Sequence, residues 1–271
     1  MAHELYFAYP SDNLLATASS ITLSTGTELD AQYELDKLFD GTWYNPFKAV
    51  EDTIAIDMEW SSPVSPALAI LGNTNITVAA TLLGHTDATF GSGFPDITIT
   101  FGVPSVDPFG FFTSPFQVPS VAAKAHWRLV VSANAYPVII GELGLYASAL
   151  GLSRAYNLSS AKRLLGGTVY YETPAKVGLA YEQSTAVRTI DGFFIVQTDA
   201  ELATVEQLVA KTRFRARPFF LIPRASVDDA WMVRFTLDEL QVETYGSGAQ
   251  RINAPIMMCG RGLAHVDPDT I

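Results

Sequence analysis

KAHWRLVVSANAYPVIIGELGLYA, residues 124–147, is the stretch on which the fold turns. Residues 129–152 form a run apolar and long enough to pass for a membrane span, but three features exclude it. Asn134 and Glu142 would sit at depth without partners, and Pro137 breaks the middle. Leu143, Leu145 and Ala147 also alternate with Glu142, Gly144 and Tyr146 in the period of two that marks a strand. The stretch therefore reads as a strand pair that closes one domain and turns about Asn134-Ala135-Tyr136-Pro137. Trp127, Leu129 and Val131 share one face of the first strand, which predicts a core anchored by tryptophan. Arg128 points the other way and predicts a surface ion pair.

Upstream, from residue 14 onward, short β-type runs are separated by Gly, Pro, Asn and Asp, as in an all-β sandwich. Strands are predicted over 20–23, 53–58, 67–71, 78–83, 96–101, 125–131 and 138–146. A helical turn is predicted over 33–39, capped by Asp30 and ended by Asp40-Gly41. Downstream the chain changes character. Residues 151–167 are small and polar with basic side chains, close on Gly166-Gly167, and read as a connector between a domain of residues 1–150 and a second of residues 168–271. In the second domain, strands are predicted over 168–172, 178–183, 187–197, 219–223, 231–237 and 240–244. Thr198-Asp199-Ala200-Glu201 makes a capping box, and Leu202, Val205, Leu208 and Val209 then fall on one helix face. Arg213, Arg215 and Arg217 follow, alternating with Phe214 and Ala216 as a strand would. The expected fold is mainly β: a jelly-roll β-sandwich followed by a β-rich domain with one helix.

Charge separates the two halves. Residues 1–150 carry 4 Lys and Arg against 15 Asp and Glu, whereas residues 151–271 carry 13 of each, so the whole net charge of −11 lies in the first half. So acidic a surface repels phosphate backbones and anionic lipids, which argues against nucleic acid and membrane insertion and leaves a neutral sugar, a cation or another protein. The 48% hydrophobic content of the 271 residues supplies two cores. No secretory signal is expected from MAHELYFAYPSDN, and the single Cys259 excludes an internal disulfide and fits folding in a reducing cytoplasm. His3, His85, His126 and His265 lack metal-ligand spacing, and no nucleophile elbow, phosphate loop or dinucleotide fingerprint is present, so no cofactor, metal or catalytic residue is expected. Glu51-Asp52, Asp57 and Glu59 offer carboxylates for glycoside hydrolysis, but in so acidic a domain they read as a solvated face.

Six motifs then occur in order: Ala16-Thr17-Ala18-Ser19-Ser20; Leu38-Phe39-Asp40-Gly41 with Trp43; Ile54-Ala55-Ile56-Asp57-Met58; Leu68-Ala69-Ile70-Leu71-Gly72-Asn73; Trp127-Arg128-Leu129; and Ile140-Gly141-Glu142-Leu143. Over about the first 147 residues this order resembles the discoidin-like, galactose-binding-like jelly rolls. The chain departs from the many extracellular members whose ends are joined by a disulfide, since this half has no cysteine. The resemblance implies a ligand held by loops at one end of the sandwich, and leaves open a calcium ion among oxygens near Asp36, Asp40 and Asp52. Residues 165–258, with TIDGFFIVQTDAELATVEQLVAKTRFRARPFFLIPR and WMVRFTLDELQVETYG, resemble the ring-forming β-domain of tailed-phage distal-tail proteins. Together the two resemblances imply a non-enzymatic structural component of a phage tail tip or baseplate. It would be assembled in the host cytoplasm and located in the virion tail, with other tail proteins and copies of itself, as a trimer or hexamer, for partners. The alternative is a carbohydrate-binding module that recognises a host-surface glycan.

Two sets of residues are candidates for contact. Trp43, Tyr44 and Phe47 follow Asp40-Gly41 and suit stacking on a sugar, or else pack on the sandwich. Phe109, Phe111, Phe112 and Phe116 crowd eight residues stiffened by Pro108 and Pro115. They either complete the sandwich core, meet a neighbouring subunit or stack on a ligand. Arg213, Arg215 and Arg217 read as a solvated or subunit-pairing edge.

Overall fold

In a computed structural model of the chain, the described residues are 3–41, 46–88, 90, 95–104, 114–172, 178–213, 216–225, 229–236, 239, 241–244 and 249–258, without the side chains of 158–172, 178–189 and 258. The strands in chain order are β1 (Leu5–Ala8), β2 (Ser20–Thr25), β3 (Phe47–Lys48), β4 (Ile54–Val64), β5 (Leu68–Thr74), β6 (Ala80–His85), β7 (Ile97–Phe101), β8 (Phe116–Gln117), β9 (Lys124–Val131) and β10 (Ile139–Tyr146). There follow β11 (Leu150–Leu152), β12 (Asn157–Glu172), β13 (Gly178–Val196), helix α1 (Asp199–Thr212), β14 (Phe219–Ile222), β15 (Trp231–Phe235), β16 (Gln241–Thr244), β17 (Gln250–Asn253) and β18 (Ile256–Met258).

Among the described residues these strands make three sheets: five strands in the order β2-β4-β9-β6-β7, four in the order β3-β10-β5-β8, and nine built on β11-β1-β14-β15-β18-β13-β17-β16, with β12 attached to β13. The first two face each other as an antiparallel jelly-roll sandwich. Its core holds Trp127, Leu129 and Val131 from β9 against Leu143 and Leu145 from β10, as the alternation predicts. Arg128 faces outward and forks onto Asp57, with Nε and Nη2 at 2.5 and 2.7 Å from the two carboxylate oxygens.

The four-stranded sheet is apolar on both faces because a second core lies behind it. In β5, Ala69 and Leu71 enter the sandwich core, while Leu68 and Ile70 join Tyr146, Phe116, Tyr6, Phe220, Ile222 and Met232 in a seam with the nine-stranded sheet. The far face of that sheet, carrying Leu5, Phe7, Phe219, Leu221, Val233 and Phe235, is covered by Val205 and Leu208 of α1. Three sheets and a helix thus stack with an apolar core in each gap. The unbroken FFLI of β14 follows directly, because alternate side chains serve different cores and both faces need apolar residues.

Several expectations require correction. β9 and β10 are not partners: each is central in a different sheet, and the turn between them crosses the sandwich. Buried Asn134 fixes that corner, its Oδ1 accepting from the Thr77 amide and hydroxyl at 2.6 and 2.8 Å and its Nδ2 donating to the Tyr136 carbonyl at 2.8 Å. The turn predicted over 33–39 is a 3-10 turn, Leu35–Leu38, with the Asp30 carboxylate accepting the Gln32 amide at 2.8 Å. Residues 151–167 are not a connector of irregular chain, since β11 and most of β12 are strands, and Gly167 marks register shifts within the β12–β13 pair. β1, although first in the chain, pairs with β11 and β14 of the nine-stranded sheet, so residues 1–150 do not all belong to the sandwich. Arg213 ends α1 in the left-handed region at φ +47, and the Arg217 amide bonds back to Thr212 at 2.9 Å. Neither residue continues a strand.

Candidate functional site

Tyr9-Pro10-Ser11-Asp12-Asn13 leaves β1 and enters the sandwich, so it spans the two bodies. Pro10 opens a 3-10 turn, Pro10–Asp12, and the Asn13 side chain caps the next, Leu14–Thr17, through the Leu15 amide at 3.2 Å. Asn13 is also stitched to β10: its Nδ2 donates to the Leu143 carbonyl at 2.7 Å and its Oδ1 accepts the Leu145 amide at 3.1 Å. Gly41 follows at φ +73, a conformation that favours glycine, and a Cβ there would press on Pro10 Cβ at 3.1 Å.

Between this segment and the end of α1 opens a cleft of about 320 Å³. Phe39, Asp40 and Gly41 form one wall, Lys211, Arg217 and Pro218 the other, and Tyr9 and Pro10 the floor. Lys211, in the last turn of α1, pairs with Asp12 and lies over the Tyr9 ring with Nζ 4.9 Å from its centroid. Burial, followed by the Asp12 charge, raises the Tyr9 hydroxyl well above its ordinary pKa. Asp12, Asp40, Lys211 and Arg217 balance in charge. The cleft therefore combines an apolar wall with hydrogen-bonding groups and no net charge, although the half around it is strongly acidic.

Beneath the Phe39 wall lies Glu142, fully buried in β10. Its Oε2 accepts the Gly41 amide at 3.2 Å, and its Oε1 accepts from Asn13 Nδ2 at a long 3.4 Å. Burial, then the neighbouring Asp40 charge, pushes the carboxyl well above the usual glutamate range against the two hydrogen bonds that oppose the shift. Tyr146, on the same side of β10, buries a hydroxyl without a hydrogen-bond partner, and its ring lies over Gly144, where a Cβ would come within 2.6 Å.

Of the residues predicted to contact a ligand, Phe47 is fully buried in the sandwich core and presents no face to a sugar, which corrects that expectation. Trp43 and Tyr44 lie outside the described residues. Among the phenylalanines, Phe116 is buried in the seam between the sheets and is not a surface for another subunit; Phe109, Phe111 and Phe112 lie outside the described residues, as does Arg215. Arg213 and Arg217 are exposed, and Arg217 lines the cleft. Among the described residues no group of three or more acidic, histidine or cysteine side chains is arranged to hold a metal ion. Tyr9, Lys211 and Glu142 are not among the site residues expected from the sequence, although Glu142, a lone carboxylate inside IIGELGLY, was the available signal.

No family model matches the chain, and no curated protein matches it. Solved structures similar to it include a chitosan-binding module derived from a chitosanase/glucanase of Paenibacillus sp. IK-5. It is 17% identical at a TM-score of 0.36, covering 49% of this chain and 98% of that one. A Streptococcus pneumoniae fucose binding module is 9% identical at a TM-score of 0.39, covering 50% and 98%. The fucolectin of striped bass, Morone saxatilis, is 8% identical at a TM-score of 0.39, covering 94% of each chain. At these scores the likenesses carry no argument about what this chain binds.

Proposed function

We propose that the chain is a non-catalytic carbohydrate-binding protein whose site is the cleft between the sandwich and the end of α1. The observation that carries this reading is the lining itself. Phe39, Pro10 and Pro218 offer an apolar surface, and Asp40, Lys211 and Arg217 offer donors and acceptors whose charge is balanced by Asp12, the ion-pair partner of Lys211, the combination a neutral sugar needs. A glycan panel followed by calorimetry tests it. Binding that Arg217→Ala and Asp40→Ala each weaken at least tenfold is expected, and binding untouched by both variants contradicts it.

A second reading, a subunit of a phage tail tip, is favoured by the β12–β13 ribbon. Residues 178–188 pair with β12 and with no other strand among the described residues. A two-stranded ribbon is marginal alone in water, and its open edges suit pairing with a neighbouring chain. Light scattering at low and moderate salt separates the two. A discrete trimer or hexamer that is lost when residues 168–182 are deleted supports assembly, and a monomer at both salts opposes it.

A further inference from the structure

We infer that Glu142 is a proton-linked positioning residue for the cleft: its buried carboxyl ties the wall at Gly41 to β10 and to Asn13, so the seating of that wall follows the charge of Glu142. The inference rests on the carbohydrate reading only for the purpose the cleft serves. The tie itself stands on geometry.

Three chain segments distant in sequence meet at this carboxyl. β10 supplies it, the Gly41 amide reaches Oε2 at 3.2 Å, and Asn13 Nδ2 reaches Oε1 at 3.4 Å. Asn13 is itself held by three further bonds to Leu15, Leu143 and Leu145, so it is a fixed post; Leu38 and Phe39 are seated by packing on the sandwich core, and it is the Gly41 end of the wall that the carboxyl holds. An ionised carboxylate accepts an N–H more strongly than a neutral acid does. The groups that face this charge are Asp40 on the wall, Asp12 through the Tyr146 hydroxyl on which both it and Glu142 act, and Asn13; Lys37 pairs with Asp36 and also feels Asp40. No cation is hydrogen-bonded or paired to Glu142 among the described contacts. Burial and Asp40 both favour the neutral acid, and the Gly41 and Asn13 bonds favour the anion.

The test needs no sugar. The Gly41 amide of the full-length protein, followed by two-dimensional NMR from pH 4 to 9, is expected to titrate with a midpoint above the ordinary glutamate value of about 4.3. In Glu142→Gln the same resonance is expected to stay flat. Should that variant fail to fold, Asp40→Asn gives the second reading: removing the nearest like charge is expected to shift the Gly41 midpoint downward. A Gly41 resonance that does not titrate, or that titrates unchanged in Glu142→Gln, overturns the tether, as does a midpoint unmoved by Asp40→Asn. Because these outcomes do not involve ligand, failure of the glycan panel removes the carbohydrate reading without touching them.

Discussion

Glu142 is the charged residue of a strand buried along its whole length, and its environment sets an opposite pH trend from that of a paired surface acid. Its pKa in the folded protein is raised by burial and by Asp40, so the folded state holds its proton more tightly than the unfolded chain does. Its contribution to stability is therefore complete below the unfolded value of about 4.3 and is lost as pH rises through the folded value. Glu142→Gln, which keeps the neutral shape, is expected to unfold at higher denaturant than the parent at pH 8 and to match it near pH 4, as read from urea titrations at both pH values. Trp127 gives a second test at this scale. A Cβ at Gly84 would lie 2.9 Å from its Cζ3 and 3.2 Å from Ile97 Cβ, with a fully buried indole that has nowhere to move. Gly84→Ala is expected to cost about 1–3 kcal/mol in chemical denaturation, the usual range for overpacking.

At the scale of elements, α1 begins as the capping box predicts, with one difference. The Thr198 hydroxyl accepts the Glu201 amide at 3.2 Å, while the Glu201 carboxylate reaches back to the Gln197 amide and across to the Ser153 amide, both at 2.7 Å. The helix is thereby tied to the segment after β11. Thr198→Ala is expected to cost about 1 kcal/mol, measured by the same denaturation. Seven of the nine sandwich strands were legible as β-type runs between turn residues, whereas the two-residue strands β3 and β8 carry too little local pattern; the helix was legible because its cap and face coincide. What was not legible has a common cause: pairing partners distant in sequence. β1 is four residues whose place is set by β11 and β14, and nothing local in LYFA assigns it to the later sheet. β10 looked like the partner of β9 because they are consecutive, yet the Asn134 corner sends it to the opposite sheet. The cleft was half legible. Asp40-Gly41 drew attention as a turn and Arg217 as part of a basic run, but their meeting depends on how α1 docks, which no motif encodes.

For the whole molecule, the seam between the four- and nine-stranded sheets joins the two halves into one structure. Phe220 lies at its centre, 6.3 Å from Tyr146 ring to ring and 3.4 Å from the point a Cβ on Gly72 would occupy. The seam is also tied by backbone: the Ala230 amide donates to the Ser114 carbonyl at 2.8 Å. Phe220→Ala is expected to lower stability by about 3–5 kcal/mol, and calorimetry of the parent is expected to show both halves melting in one transition. Two separated transitions would mean that the seam does not couple them. The cleft forms at the edge of this seam, with one wall from each half, so a ligand held there would bind the joined structure and neither half alone. Calorimetric titration of the full-length protein with the neutral glycans selected on a panel, alongside Arg217→Ala, tests whether the cleft binds sugar. Saturable binding at one site, weakened at least tenfold by that substitution, is expected. No heat with any panel glycan, or equal affinity in the two proteins, would contradict it.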